Sequence, residues 1–381
     1  MPVATPSIRP LALLVGTVAL LETLLLSALS PLLPQFEEIL HLSKSQVGLL
    51  NAAYPLGTFL VAVPAGLVVA RIGIRSAVAA GLVLLALSTI ALGLLDSYGG
   101  LVLARFLQGA AGGGIAWPLA TAWLTGETEP GRRGRVLGAV IGISIFGATL
   151  GPVLGAVATA SRPATFLSLA AVVFGAIVLL GRLRSPPVQH ASDLRALRAA
   201  LTNRRVLLGL WFVIIPGALF GMLGTLLPLQ LDRLGVGPTG IAAVFVVSAA
   251  VGAAVTTVTG RIADRRGRMA PLRAALVAAP VAAVVLPLLD QPLWVAIWAV
   301  LGIGVWDIFW PPAMALLADG AEEVQVEQAL AFALQAMAWG PGAFLGSVGG
   351  GVLAEAAGDT AAWSTMAVAC VLSLPLVRRR G

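Results

Sequence analysis

The chain has 381 residues, 59% hydrophobic and 11% charged, with a mean hydropathy of +0.97 and a formal net charge of +7. A soluble domain is about one-quarter charged, so 24 basic and 17 acidic residues cannot coat a soluble protein of this length. That excludes an ordinary soluble enzyme and a disordered chain, and the lone Cys370 excludes an intrachain disulfide scaffold.

A transmembrane helix needs about 20 apolar residues. Apolar runs, broken at charges and Gly/Pro clusters, predict twelve such helices over 11–33, 46–70, 75–95, 99–124, 135–159, 164–181, 206–231, 239–260, 271–289, 292–317, 327–354 and 361–377. The first run is too long for a signal peptide and carries Glu22 near its middle. Burial disfavours a charged carboxylate, so Glu22 is a candidate to take and release a proton, the alternative being a structural hydrogen bond. The second helix carries Asn51 and Tyr54 three residues apart, each as suited to a helix–helix hydrogen bond as to a ligand. In the fourth, Arg105 is followed by Gln108, Gly109 and Gly112 on one face. Either it is buried, tuning an acid or holding an anion, or it snorkels to the surface.

The fifth helix has Gly147, Gly151, Pro152 and Gly155, a stripe that permits close backbone approach. Between the sixth and seventh lies the longest polar stretch, 182–205, with His190 and a possible interfacial helix over Asp193–Leu201. It divides the chain into an N-terminal half, 1–181, and a C-terminal half, 206–381. The tenth helix holds Asp307 beside Trp306 and Trp310, ahead of Pro311-Pro312, which must distort it. An acid beside aromatic rings suits a cationic substrate; a second proton site or a cap on the break are the other readings. The eleventh carries Gln335 and a second stripe, Gly342, Gly346 and Gly350. Trp123, Trp211, Trp294 and Trp363 fall near span ends, as interfacial anchors do.

Basic residues set the orientation. One alternating set of loops and termini holds twenty of the 24, the other only Lys44, Arg162 and Arg233, with Arg105 inside a span. The positive-inside rule then puts both termini in the cytoplasm. The high pI is thereby topological, and nucleic acid drops out as a partner. An internal repeat supports two halves: Gly66–Gly73 recurs as Gly260–Gly267 and Leu33-Pro34 as Leu227-Pro228, while Trp117-Pro118 and the glycine stripe recur within one residue of the same offset.

These motifs carry a resemblance to the major facilitator superfamily. The loop signature after helix 2 reads Gly260, Asp264, Arg265, Gly267 and Arg268 in the second half, and Gly66, Arg71, Gly73 and Arg75 in the first, where Ala70 replaces the usual acid. Leu101, Arg105, Gln108 and Gly109 match the helix 4 signature, and Gly147, Gly151, Pro152 and Gly155 match a helix 5 pattern of the drug:proton antiporter branch. Glu22, nine residues before Pro31, is similar to the antiporters' acidic helix 1 motif, with Ser27 where many have Asn.

The resemblance implies an all-α membrane protein of twelve transmembrane helices in two pseudo-symmetric six-helix halves, in the plasma (inner) membrane. It implies a monomer exporting small lipophilic or cationic compounds in exchange for protons by alternating access, without a cofactor. Glu22, Arg105 and Asp307 would couple protons. Asn51, Tyr54, Gln108, Trp310 and Gln335 would line the substrate cavity. The loop residues would latch the cytoplasmic side, the acid at 264 engaging the opposite half, and the glycine stripes would slide between the halves, static packing being the equally open reading of the same pattern. A symporter or uniporter of a small metabolite on the same fold is the alternative. The lack of a Walker sequence disfavours ATP-driven transport. Of the readings from another class, a non-transporting membrane receptor would bind ligand without flux, and an enzyme is disfavoured because there is no metal-spaced His/Cys/Asp cluster and the two histidines fall on opposite sides.

Overall fold

A computed structural model describes residues 8–184, 200–324 and 328–377. His190 and most of the Asp193–Leu201 segment lie outside the described residues. Twelve helical segments follow in chain order. In the first half they are α1 (Arg9–Leu40), α2 (Lys44–Ile72), α3 (Ile74–Leu94), α4 (Tyr98–Gly109, a π-helical turn Ala110–Ala116, then Trp117–Gly126), α5 (Arg133–Ala160) and α6 (Arg162–Gly181). In the second they are α7 (Arg204–Arg233), α8 (Pro238–Arg266), α9 (Met269–Val285), α10 (Pro292–Asp307, then Trp310–Glu323), α11 (Gln328–Ala357) and α12 (Asp359–Ser373). Among the described residues, ten segments are long and apolar enough to cross a bilayer by themselves; α4 and α11 complete the twelve.

Local chemistry sets the boundaries. A capping box between Ser43 and Gln46 opens α2, and Gly73 at φ 80° closes it. Gly267 at φ 82° closes α8 in the same way, so both copies of the repeated loop turn on a glycine in the left-handed region. The first helix runs past its predicted end. It breaks at Ser30-Pro31 into a 3₁₀ turn and resumes over Leu33–Leu40, because Pro31 has no N–H to give the preceding turn.

Buried apolar residues form two clusters, one from α1–α6 and one from α7–α12, with Leu229 of α7 reaching into the first. Large apolar side chains such as Leu87, Phe174, Val277 and Leu372 are exposed around the outside, as a lipid-facing belt requires. The halves meet where α2 packs along α11 and α5 along α8.

Two sequence expectations need correction. The glycine stripes lie inside the halves, not between them. A Cβ at Gly147, Gly151 or Gly155 would strike the backbone of α1 at Leu20, Leu24 and Ala28. At Gly342 and Gly346 it would strike Ile214 and Ala218 of α7, and at Gly350 the side chain of Met222. Each stripe therefore cements one pair of main chains within its own half. The glycines that bring the halves together are others: Gly48 lies against Ser347, and Gly351 against Lys44. The second correction concerns tryptophan. Trp211 and Trp294 are exposed as anchors should be, but Trp123 and Trp363 are buried, Trp363 stacking on Trp306 at 5.7 Å.

Candidate functional site

Glu22 is 4% exposed and lies against the π-helical turn of α4. The glycines of that turn make room for it: a Cβ on Gly113 would lie 3.0 Å from its Oε1, and one on Gly112 3.5 Å from its Cγ. Nearby hydroxyl protons are already committed. Tyr54 donates to the Glu22 main-chain carbonyl at 3.1 Å, and Thr58 to the Gly109 carbonyl at 3.0 Å. The carboxyl is left with an Oε2 that is buried and, among the described residues, has no hydrogen-bond partner, and it makes no ion pair among them. A buried carboxylate without donor or countercharge is costly, and a bound proton removes that cost.

Arg105 is 0% exposed, so it does not snorkel. Its guanidinium donates to the Leu25 carbonyl at 2.9 Å, the Leu26 carbonyl at 3.2 Å and the Gln108 side-chain oxygen at 2.8 Å. Helix α1 gives way to a 3₁₀ turn a few residues on, which leaves carbonyls of its last α turn in need of donors. Arg105 meets that need. It also lies 4.7 Å over the Tyr54 ring, and Gln108 passes the network on to Thr89 at 3.1 Å. Glu22, Tyr54, Arg105 and Gln108 thus form one network inside the first half. Tyr54 and Gln108 are buried in it and do not line an open cavity, contrary to expectation.

The remaining predicted residues are dispersed. Asn51 bridges the halves, donating to Thr225 at 3.2 Å and to Ser347 at 3.1 Å. Gln335 is half-buried and makes no side-chain hydrogen bond among the described residues. Trp310 packs half-buried against the second core. Asp307 sits at the break in α10, its carboxylate against Gly252 of α8. Trp306 is buried in the core between Trp363 and Phe220.

In the repeated loops, Gly66 has nothing within 4 Å of a would-be Cβ, and at Gly260 only Pro311 reaches that distance. Arg71 and Arg265 are exposed. Arg75 donates to the Gly181 carbonyl at 2.9 Å, in its own half. Asp264 pairs with Arg268 at 3.1 Å, and Arg268 with Asp319 at 3.2 Å. The Arg268 pKa is raised by its hydrogen bond to Asp319 first, then by Asp264. The latch acid therefore engages its own half here, not the opposite one.

Among the described residues, the polar contacts that cross between the halves lie at the end away from the basic loops. Lys44 meets Asp359 at 2.5 Å, and Asp359 is shared with Arg233 at 2.8 Å. The Ser45 amide, at the start of α2, donates to Glu355 at 3.0 Å. This clasp was missed in the sequence, where the one visible signal was a single lysine isolated from the other basic residues.

A model of the Major Facilitator Superfamily matches residues 15–325. The uncharacterized MFS-type transporter YcaD of Escherichia coli O139:H28 is 27% identical over 267 residues, 70% of this chain and 69% of that protein. A bacterial homolog of the human lysosomal transporter Spinster, in an inward-facing and unoccupied conformation, superposes with a TM-score of 0.78 at 15% identity, covering 98% of this chain and 95% of the other. The nucleoside transporter NupG gives 0.73 at 14% identity, covering 96% and 97%, and a D-xylose-proton symporter 0.73 at 15%, covering 98% and 97%. At these identities the solved structures speak for the fold.

Proposed function

Because the chain belongs to the Major Facilitator Superfamily, whose members are secondary transporters, we propose that it is a proton-coupled antiporter exporting small lipophilic or cationic compounds. The observation that carries the reading is Glu22: a carboxyl buried in α1, without donor or ion pair among the described residues, against a helix that opens into a π turn beside it. π turns recur at functional sites, and an intramembrane acid is by default a functional one. The branch-specific glycine pattern of α5 favours antiport.

The basic end is assigned to the cytoplasm by the positive-inside rule. In this reading the clasp closes the outer side. In the proposed cycle, substrate enters from the cytoplasm as Glu22 releases its proton. The two halves, 1–181 and 206–381, rock while 182–205 tethers them, and the clasp parts. Glu22 takes a proton from outside as substrate leaves. Competition between proton and substrate is the linkage that yields exchange. Arg105 holds the shape of α1 next to Glu22 instead of pairing with it, which leaves the carboxyl free to change charge.

The test uses purified protein in liposomes loaded with a pH-sensitive dye. Lipophilic cations and neutral compounds are added across a proton gradient. Substrate-dependent proton movement should appear with the wild type and vanish in Glu22→Gln. Proton movement that persists in Glu22→Gln refutes the assignment, and counterflow without proton movement points to a uniporter.

A further inference from the structure

The break in α10 offers oxygens without donors. Residues Pro311 and Pro312 have no N–H, so the Ile308 carbonyl finds no donor three or four residues ahead, and the Asp307 carbonyl finds none four ahead. The backbone turns instead through Ile308 N–H to the Val305 carbonyl at 3.3 Å and Phe309 N–H to the Trp306 carbonyl at 3.2 Å, and Ala313 N–H goes to Phe309. In the same turn stands the Asp307 carboxylate. It has no hydrogen-bond donor and no ion pair among the described residues. Gly252 on α8 leaves it room that a methyl group would fill. The repeat makes the feature specific to the second half: Trp117-Pro118 matches Trp310-Pro311, but Leu119 stands where the second proline would be. There α4 distorts into a π turn without breaking, and it carries no acid of its own.

We propose that Asp307 and the freed carbonyls of this break form a site for a small monovalent metal cation, sodium, separate from Glu22 and in the opposite half. A proton would satisfy a single oxygen. Here one carboxylate stands in the same turn as main-chain carbonyls that have lost their α-helical donors, the combination by which interrupted membrane helices hold sodium. Hard cations take oxygen ligands. One negative charge matches one positive charge. No group of three or more His, Cys, Asp or Glu side chains that could hold a metal occurs among the described residues, so the further ligands of this site would come from the main chain.

The experiment uses the full chain purified in detergent, with sodium chloride titrated against potassium chloride and choline chloride at matched ionic strength. Thermal unfolding and tryptophan fluorescence are read together, because Trp306 and Trp310 flank the site. The wild type should show a saturable rise in midpoint and a fluorescence change with sodium alone. Both should be lost in Asp307→Asn and kept in Glu22→Gln, which separates this site from proton coupling at Glu22. Pro312→Ala, which returns an N–H to the Ile308 carbonyl, should shift the response to higher sodium. Gly252→Ala, which leaves the charge but fills its place, should abolish it. Equal responses to all three salts, a sodium response surviving Asp307→Asn, or one unaltered in both Pro312→Ala and Gly252→Ala would overturn the proposal. A sodium response in protein that moves no protons would leave the site standing and refute only the coupling at Glu22.

Discussion

Asp359 is the point at which the clasp between the halves is most exposed to a single substitution. Its carboxylate faces Lys44 from the first half and Arg233 from the second, at 2.5 and 2.8 Å. In Asp359→Asn both attractions weaken and two cations remain close together. Only the Lys44 pair crosses between the halves, since Asp359 and Arg233 belong to the same half. A partly exposed pair contributes about 0.2–1 kcal/mol, and the repulsion between Lys44 and Arg233 brings the loss to about 1 kcal/mol of preference for the clasped state. That corresponds to roughly a 5-fold shift in the equilibrium between clasped and parted forms. Spin labels at Ile39 and Gln291, both exposed and on opposite halves at that end, would follow the gap. The native Cys370 is buried and does not compete for label. The variant should gain a longer-distance population, and high salt should produce part of the same change in the wild type by screening the pairs. An unchanged distance distribution in a variant that elutes as folded protein would refute the reasoning and transfer the closure to the Gly48–Ser347 and Gly351–Lys44 backbone contacts.

Other perturbations separate packing from coupling. Gly346→Ala drives a methyl into the Ala218 carbonyl and should destabilise by about 1–3 kcal/mol, whereas Gly138→Ala, with nothing within 4 Å, should leave the melting midpoint unchanged or raised; equal effects would refute the assignment of the stripe. Arg105→Lys keeps the charge but cannot serve Leu25, Leu26 and Gln108 together. It should lower both stability and transport, and wild-type behaviour in both assays would show that charge alone suffices. Ala70→Asp restores the acid that the first loop lacks and should raise the population closed at the basic end, read by distances across that end; no change there would count against a latch role for the position.

Much of this architecture was legible before any coordinates. Twelve spans follow from apolar run lengths, and two halves follow from the repeat, because a bilayer forces hydropathy and structure to agree. Glu22, Arg105 and Asp307 stood out for the same reason: charge inside an apolar run has few explanations. What those residues touch was not legible. Arg105 bonds to carbonyls that become available only because α1 breaks, and main-chain acceptors leave no trace in side-chain patterns. The glycines of α5 and α11 announced a close contact but not its partner, since a stripe four residues apart gives a face without saying which helix covers it. The clasp was invisible because an acid at the very start of a helix, such as Asp359, has no periodicity to mark it, and its partner Lys44 is more than 300 residues away.

The glycine cement within each half bears on how fast the molecule can work. In α1–α5 and α7–α11, main chains meet with no side chain between them, so sliding one helix past its partner would meet backbone atoms at every turn. Between the halves, among the described residues, the polar contacts lie at one end, and each is of a kind that water can replace. The packing of α2 along α11 and of α5 along α8 must be exchanged as well. The activation barrier for reorientation is thereby set at the seam between the halves and not by repacking of either core, and turnover becomes sensitive to the chemistry of that seam while the body of each half stays rigid.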